Sequence, residues 1–100
     1  MILNILGKKY KFKRVNEYND EAFTSNPALK GECRHFRNEI VVYENINTKE
    51  FERFIIRHEI VHAFLHECGL ENYKNNEDLV NLIAHQFPKM LEVFKKVDAI

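Results

Sequence analysis

The sequence has no Trp, 2 Cys, 2 Pro and 3 Gly in 100 residues, and its 15 Lys+Arg are matched by 15 Asp+Glu. Each shortage excludes something. Cys33 and Cys68 are too few for the disulfide framework of a small secreted domain. A net charge of zero leaves no long-range field to draw nucleic acid or an anionic membrane toward the chain. No stretch approaches the roughly 18 consecutive apolar residues of a membrane span. The apolar start, Met1–Leu6, is short for a secretion signal and has no basic segment ahead of it. No Gly/Ser/Pro-rich linker, repeat or low-complexity segment divides the chain. These absences predict a single domain over residues 1–100 in the reducing cytoplasm, with neither nucleic acid nor membrane as partner.

What is present is 45% hydrophobic residues arranged with two periods. The amino-terminal half reads as strands. Ile2–Leu6 is apolar, Gly7-Lys8 offers a turn, and Tyr10–Val15 alternates Tyr10 and Phe12 with Lys11 and Lys13. The run from Lys8 to Arg14 resembles a nucleic-acid patch, but alternation favours an edge strand with lysines outward. Ala22 and Phe23 suggest a short helical turn before Pro27. Glu32–Phe36 and Glu39–Tyr43 then flank Arg37-Asn38 as a second hairpin.

The other half reads as helices. Asn47 or Thr48 caps the first, which runs to Cys68 with Gly69 as its carboxy-terminal cap. A second starts near Asn75 or Asn76 and carries Leu79, Val80, Ile83, Ala84 and Phe87; Pro88 kinks it or opens a third. The fold class expected is α+β: a small antiparallel sheet packed on two helices.

The first helix contains His58-Glu59-Ile60-Val61-His62, a H-E-x-x-H segment. Residues i and i+4 stand one turn apart, so two imidazoles can converge on one ion, and the glutamate between them can take a proton from metal-bound water. Random placement of 5 His and 12 Glu in 100 positions yields roughly 0.03 such segments, so the bare motif is not proof. Helical context adds weight. His58 and His62 share a face with Phe51, Phe54, Ile55, Val61 and Leu65, and buried imidazoles require partners. The bland alternative is two core histidines satisfied by backbone or carboxylates.

A catalytic Zn²⁺ takes three protein ligands and keeps one position open. Glu77 sits about 60° from Val80, at the edge of the second helix's apolar stripe, where a helix-loop-helix can return it to the histidines. The competing role for Glu77 is a first-turn carboxylate favoured by the helix dipole. Asp78 and His85 lie about 160° and 140° from Val80, toward solvent. Cys33 is a fourth candidate, although a free cysteine is more often a small buried hydrophobe. His66, His85 and Tyr73 are open candidates for an oxyanion donor.

The segments His58–His66 and Glu77–Ala84 together resemble the small zincin-type metallopeptidases, in particular the ImmA/IrrE-like group of bacterial mobile elements and phages. That group pairs HExxH with a later E-x-x-A-N-x-F-A; Val80 and Ile83 here replace its Ala and Phe. The resemblance implies a zincin-like fold, His58, His62 and Glu77 as zinc ligands, and Glu59 as general base. It implies hydrolysis of a peptide bond in a protein or peptide substrate, held against an edge strand beside the metal helix; Glu39–Tyr43 is the expected strand. A catalytically silent zinc-binding interaction protein of a mobile element is the alternative.

Overall fold

The computed structural model describes residues 1–15, 30–44, 48–70 and 72–100. Its elements are strands β1 (Ile2–Ile5), β2 (Lys8–Val15), β3 (Gly31–Arg34) and β4 (Glu39–Tyr43), followed by helices α1 (Lys49–Glu67) and α2 (Glu77–Lys96). The helical turn expected at Ala22 and Phe23, and Asn47 as a cap, lie outside the described residues.

β1 and β2 form a hairpin whose register pairs Ile5 with Lys8, so the loop is Leu6-Gly7 rather than Gly7-Lys8. Both loop residues have positive φ, 52° and 89°, the requirement of a two-residue turn that follows the strands' twist. The Gly7 N–H donates to Asn4 Oδ1 at 2.6 Å.

The strand order is β1-β2-β4-β3, and this corrects three expectations. The sheet is mixed, because β2 and β4 are parallel while the other pairs are antiparallel. The stretch from Val15 to Glu39 is long enough for the crossover that parallel pairing requires. β2 is an interior strand, so its lysines do not guard an edge. β4 is interior too, and all five of its residues are buried. A strand covered by neighbours and by both faces reads as a continuous apolar run, which Ile40-Val41-Val42 is. The second hairpin also differs. Arg34 pairs with Glu39, and the connection is a 3₁₀ turn, His35–Arg37, closed by Asn38 at φ 51°.

α1 starts where Thr48 accepts the Phe51 N–H at 3.1 Å, and α2 where Asn76 accepts the Leu79 N–H at 3.0 Å. α1 lies on the sheet. Its buried residues are Glu59, His62 and Ala63, and Ala63 packs into the core with Ile5, Tyr10 and Ile40. The buried stripe is therefore turned away from the expected one: Phe51 is exposed, and Val61 and Leu65 line an open groove beside α2. Tyr10, fully buried, donates its hydroxyl to Glu67 Oε2 at 3.1 Å and ties the end of α1 to β2.

α2 is continuous through Pro88, so no third helix opens there. Proline lacks the N–H that would bond to the carbonyl four residues back. That carbonyl belongs to Ala84, and Arg57 Nε of α1 donates to it at 2.6 Å. Among the described residues no helix is long and apolar enough to cross a membrane.

Candidate metal centre

α1 and α2 run antiparallel, as their ties show: Arg57 to Ala84, His58 to Asn81, His62 to Glu77. This arrangement carries Glu77, in the first turn of α2, back to the two histidines. His58 Nε2 lies 3.0 Å from Glu77 Oε2, His62 Nε2 lies 2.9 Å from Glu77 Oε1, and the two Nε2 atoms are 3.2 Å apart.

The hydrogens decide what this triangle means. His62 Nδ1 is 2.6 Å from the Lys74 carbonyl, which only accepts, so Nδ1 carries the proton. His58 Nδ1 likewise donates to Asn81 Oδ1 at 2.9 Å. In the neutral rings both Nε2 atoms then present lone pairs, and they converge on a carboxylate that also only accepts. A cluster of acceptors this tight is matched by a cation. A tetrahedral zinc at ~2.0–2.1 Å from each donor would hold its ligand atoms roughly 3.3 Å apart, close to the spacings found. The Nδ1 bonds to Asn81 and Lys74 are the outer contacts that fix the tautomer and ring angle of metal-binding histidines. The donor set fits a zinc ion: two imidazoles and one carboxylate, the three residues that could hold a metal among those described.

Glu59 stands next to this triangle with only 7% of its surface exposed. Burial above all, then the carboxylates of Glu77 and Glu32, pushes its pKa up to about 8. Gly31 makes the close packing there possible. A Cβ on residue 31 would stand 2.6 Å from Ile55 Cγ2, 3.2 Å from the Val41 carbonyl and 3.3 Å from Glu59 Cγ. The missing side chain lets β3 press against α1 beside Glu59. His58 is also shifted: burial lowers its pKa, against the raising effect of Glu77.

The triangle opens into a cleft of about 380 Å³ walled by β3 on one side and by the approach to α2 on the other. Against known protein families, curated proteins and solved structures, the chain shows no match.

The other candidates fall elsewhere. Asp78 is exposed in the first turn of α2, and His85 stacks on Phe54 with ring centroids 4.0 Å apart, away from the cleft. Cys33 lines the cleft but is not among the residues whose donor atoms converge; burial first and then Glu59, Glu32 and Glu67 push its thiol up to about 12. Tyr73 is exposed, and His66 stacks behind His35.

Three contributors escaped the sequence reading. Asn81 carried a signal, since it stands one helical turn after Glu77 on the same helix. The Lys74 carbonyl carried none, because a backbone group has no residue type. His35, which also lines the cleft, sits in a turn that no periodicity marks.

Proposed function

We propose that the chain is a zinc-dependent metallopeptidase with a zincin-like site, akin to the ImmA/IrrE-like group. One observation supports this most: the Nε2 atoms of His58 and His62 lie 3.2 Å apart and each within 3.0 Å of one of the two Glu77 carboxylate oxygens, while both Nδ1 atoms face acceptors on the far side of the rings. Bound zinc would supply Lewis acidity and an acidified water. Three protein ligands leave a catalytic zinc the open position that this chemistry uses.

Glu59 serves as the proton carrier. Burial and the neighbouring carboxylates raise its pKa and so its basicity: in its ionised form it would accept the proton of the attacking water and return it to the leaving amine. His58 and His62 orient the centre through Asn81 and Lys74, and Glu77 adds the one negative charge of the ligand set.

The substrate strand moves from β4 to β3. β4 is enclosed between β2 and β3, whereas among the described residues β3 ends the sheet, and it packs against α1 beside Glu59. An extended peptide adding to β3 on the side away from β4 would pass over the cleft, by the main-chain pairing that strand addition uses.

The test is zinc content by elemental analysis together with peptidase assay on unfolded casein. About one zinc per chain is expected, lost in His58→Ala and retained in Glu59→Gln, with cleavage abolished in both. A chain purified without zinc would return the histidines to a packing role. Undiminished cleavage by Glu59→Gln would remove Glu59 as the base.

A further inference from the structure

The cleft's wall on the β3 side includes His35, the first residue of the turn after β3. Its ring is held from two directions. It stacks on His66 of α1, with centroids 4.1 Å apart and planes 21° from parallel. Its Nδ1 lies 3.6 Å from Cys33 Sγ. The half-buried Cys33 thiol can give its hydrogen to Nδ1, in the tautomer that the inference below uses. The ring's own hydrogen is then on Nε2. Burial, reinforced by His66, His62 and Lys74 and opposed by Glu67, keeps His35 below its ordinary pKa. At neutral pH it is an uncharged ring with one N–H to give.

That donor is scarce in the cleft. Glu32 and Glu77 offer acceptors when ionised, Glu59 is committed to carrying the water's proton, and the N–H groups of His58 and His62 are spent on Asn81 and Lys74. Asn75 offers an amide, but it stands exposed on the loop before α2. A group bound at the triad through an oxygen develops negative charge there as its carbonyl becomes tetrahedral, and a donor fixed in advance is what stabilises such charge.

We infer that His35 is a ligand-contacting residue of this cleft, its Nε2–H donating to the oxyanion of a carbonyl-derived group held at the His58, His62 and Glu77 centre. The inference rests on the metal reading above and goes beyond it by assigning a side chain that binds the ligand but not the metal. His66 acts through His35 as a positioning residue.

The full chain loaded with Co²⁺ gives a visible spectrum that reports on the centre, and acetohydroxamate is the probe. His35→Phe keeps a ring over His66 and removes the N–H, so it should leave the Co²⁺ spectrum unchanged and weaken acetohydroxamate about tenfold, the loss of one charge-assisted hydrogen bond. His35→Gln, which places an amide N–H near the lost one, should recover most of that affinity. If the wild-type chain takes up no Co²⁺, the metal reading fails and this inference falls with it. If Co²⁺ binds and His35→Phe takes acetohydroxamate as tightly as wild type, this inference alone is overturned.

Discussion

Arg57 donates from Nε to the Ala84 carbonyl at 2.6 Å, the one carbonyl of α2 that Pro88 deprives of its helical partner. The proline thus creates a vacancy and the neighbouring helix fills it. The contact also belongs to a ladder. Descending the seam between α1 and α2 are Arg57 to Ala84, His58 to Asn81, and His62 to Glu77. Arg57 closes the end of the ladder farthest from the loop, immediately before the first histidine of the triad.

Removing that clamp should cost stability through the orphaned carbonyl. Arg57→Ala is expected to lose about 1–3 kcal/mol in urea unfolding. In a Pro88→Ala background the amide hydrogen returns at position 88, the helix can satisfy Ala84 itself, and the same substitution should cost distinctly less. Equal losses in the two backgrounds would mean that the carbonyl and the arginine are not coupled.

The outer contacts of the histidines give a prediction about the metal. Asn81→Ala frees the His58 ring and its tautomer, and zinc affinity measured by competition with a chelator should fall by ~10–100-fold. Asp78→Ala, at an exposed position of the same helix turn, should leave the affinity unchanged. The reverse ranking would place the carboxylate ligand at residue 78 and displace Glu77.

Much of this site was legible because helical spacing is local information. His58 and His62 share a face by arithmetic alone, and Glu77 could be placed on the correct edge of the second helix from Val80 and Ala84. The order of strands was not legible. Alternation tells which face of a strand is buried but not which strand lies beside it, so β4 was expected at an edge although its unbroken Ile-Val-Val run matched an interior position. Pro88 misled for a related reason. Its penalty within a helix is intrinsic, while the guanidinium that offsets it comes from residue 57. His35 reaches the cleft only through tertiary packing of a turn against α1.

At Gly31 the sheet approaches α1 too closely for a side chain. A methyl group there meets Ile55 Cγ2 at 2.6 Å and the Val41 carbonyl at 3.2 Å, and the carbonyl, being backbone of the central strand, cannot rotate away. Gly31→Ala should lower stability by about 1–3 kcal/mol through overpacking, read as a fall in Tm. Adding Ile55→Ala removes the closest clash, so the double variant should be more stable than the sum of the two single losses. A Gly31→Ala chain with wild-type Tm would show that β3 can shift from α1 at no cost.

The two thiols should separate cleanly. Cys68 is exposed, whereas Cys33 is half-buried beneath the cleft and, chiefly through burial, ionises only near pH 12 instead of about 9. Iodoacetamide at pH 8 attacks thiolate, so the folded chain should gain one adduct, at Cys68, and the unfolded chain two. The same shift has a consequence for folding. Between pH 9 and 12 the folded thiol keeps a proton that the unfolded one has lost, so stability falls as pH rises through that window and is fully present below it. Tyr10 acts in the same sense, since burial and Glu67 raise its hydroxyl above the ordinary value of 10. Cys33→Ala should flatten the decline measured by denaturant unfolding between pH 9 and 10.5 or so, the part of the range that the assay reaches before general alkaline unfolding. Equal alkylation of both cysteines in the folded chain would show that Cys33 is neither buried nor held in its protonated form, and with it would go the thiol proton that fixes the His35 ring.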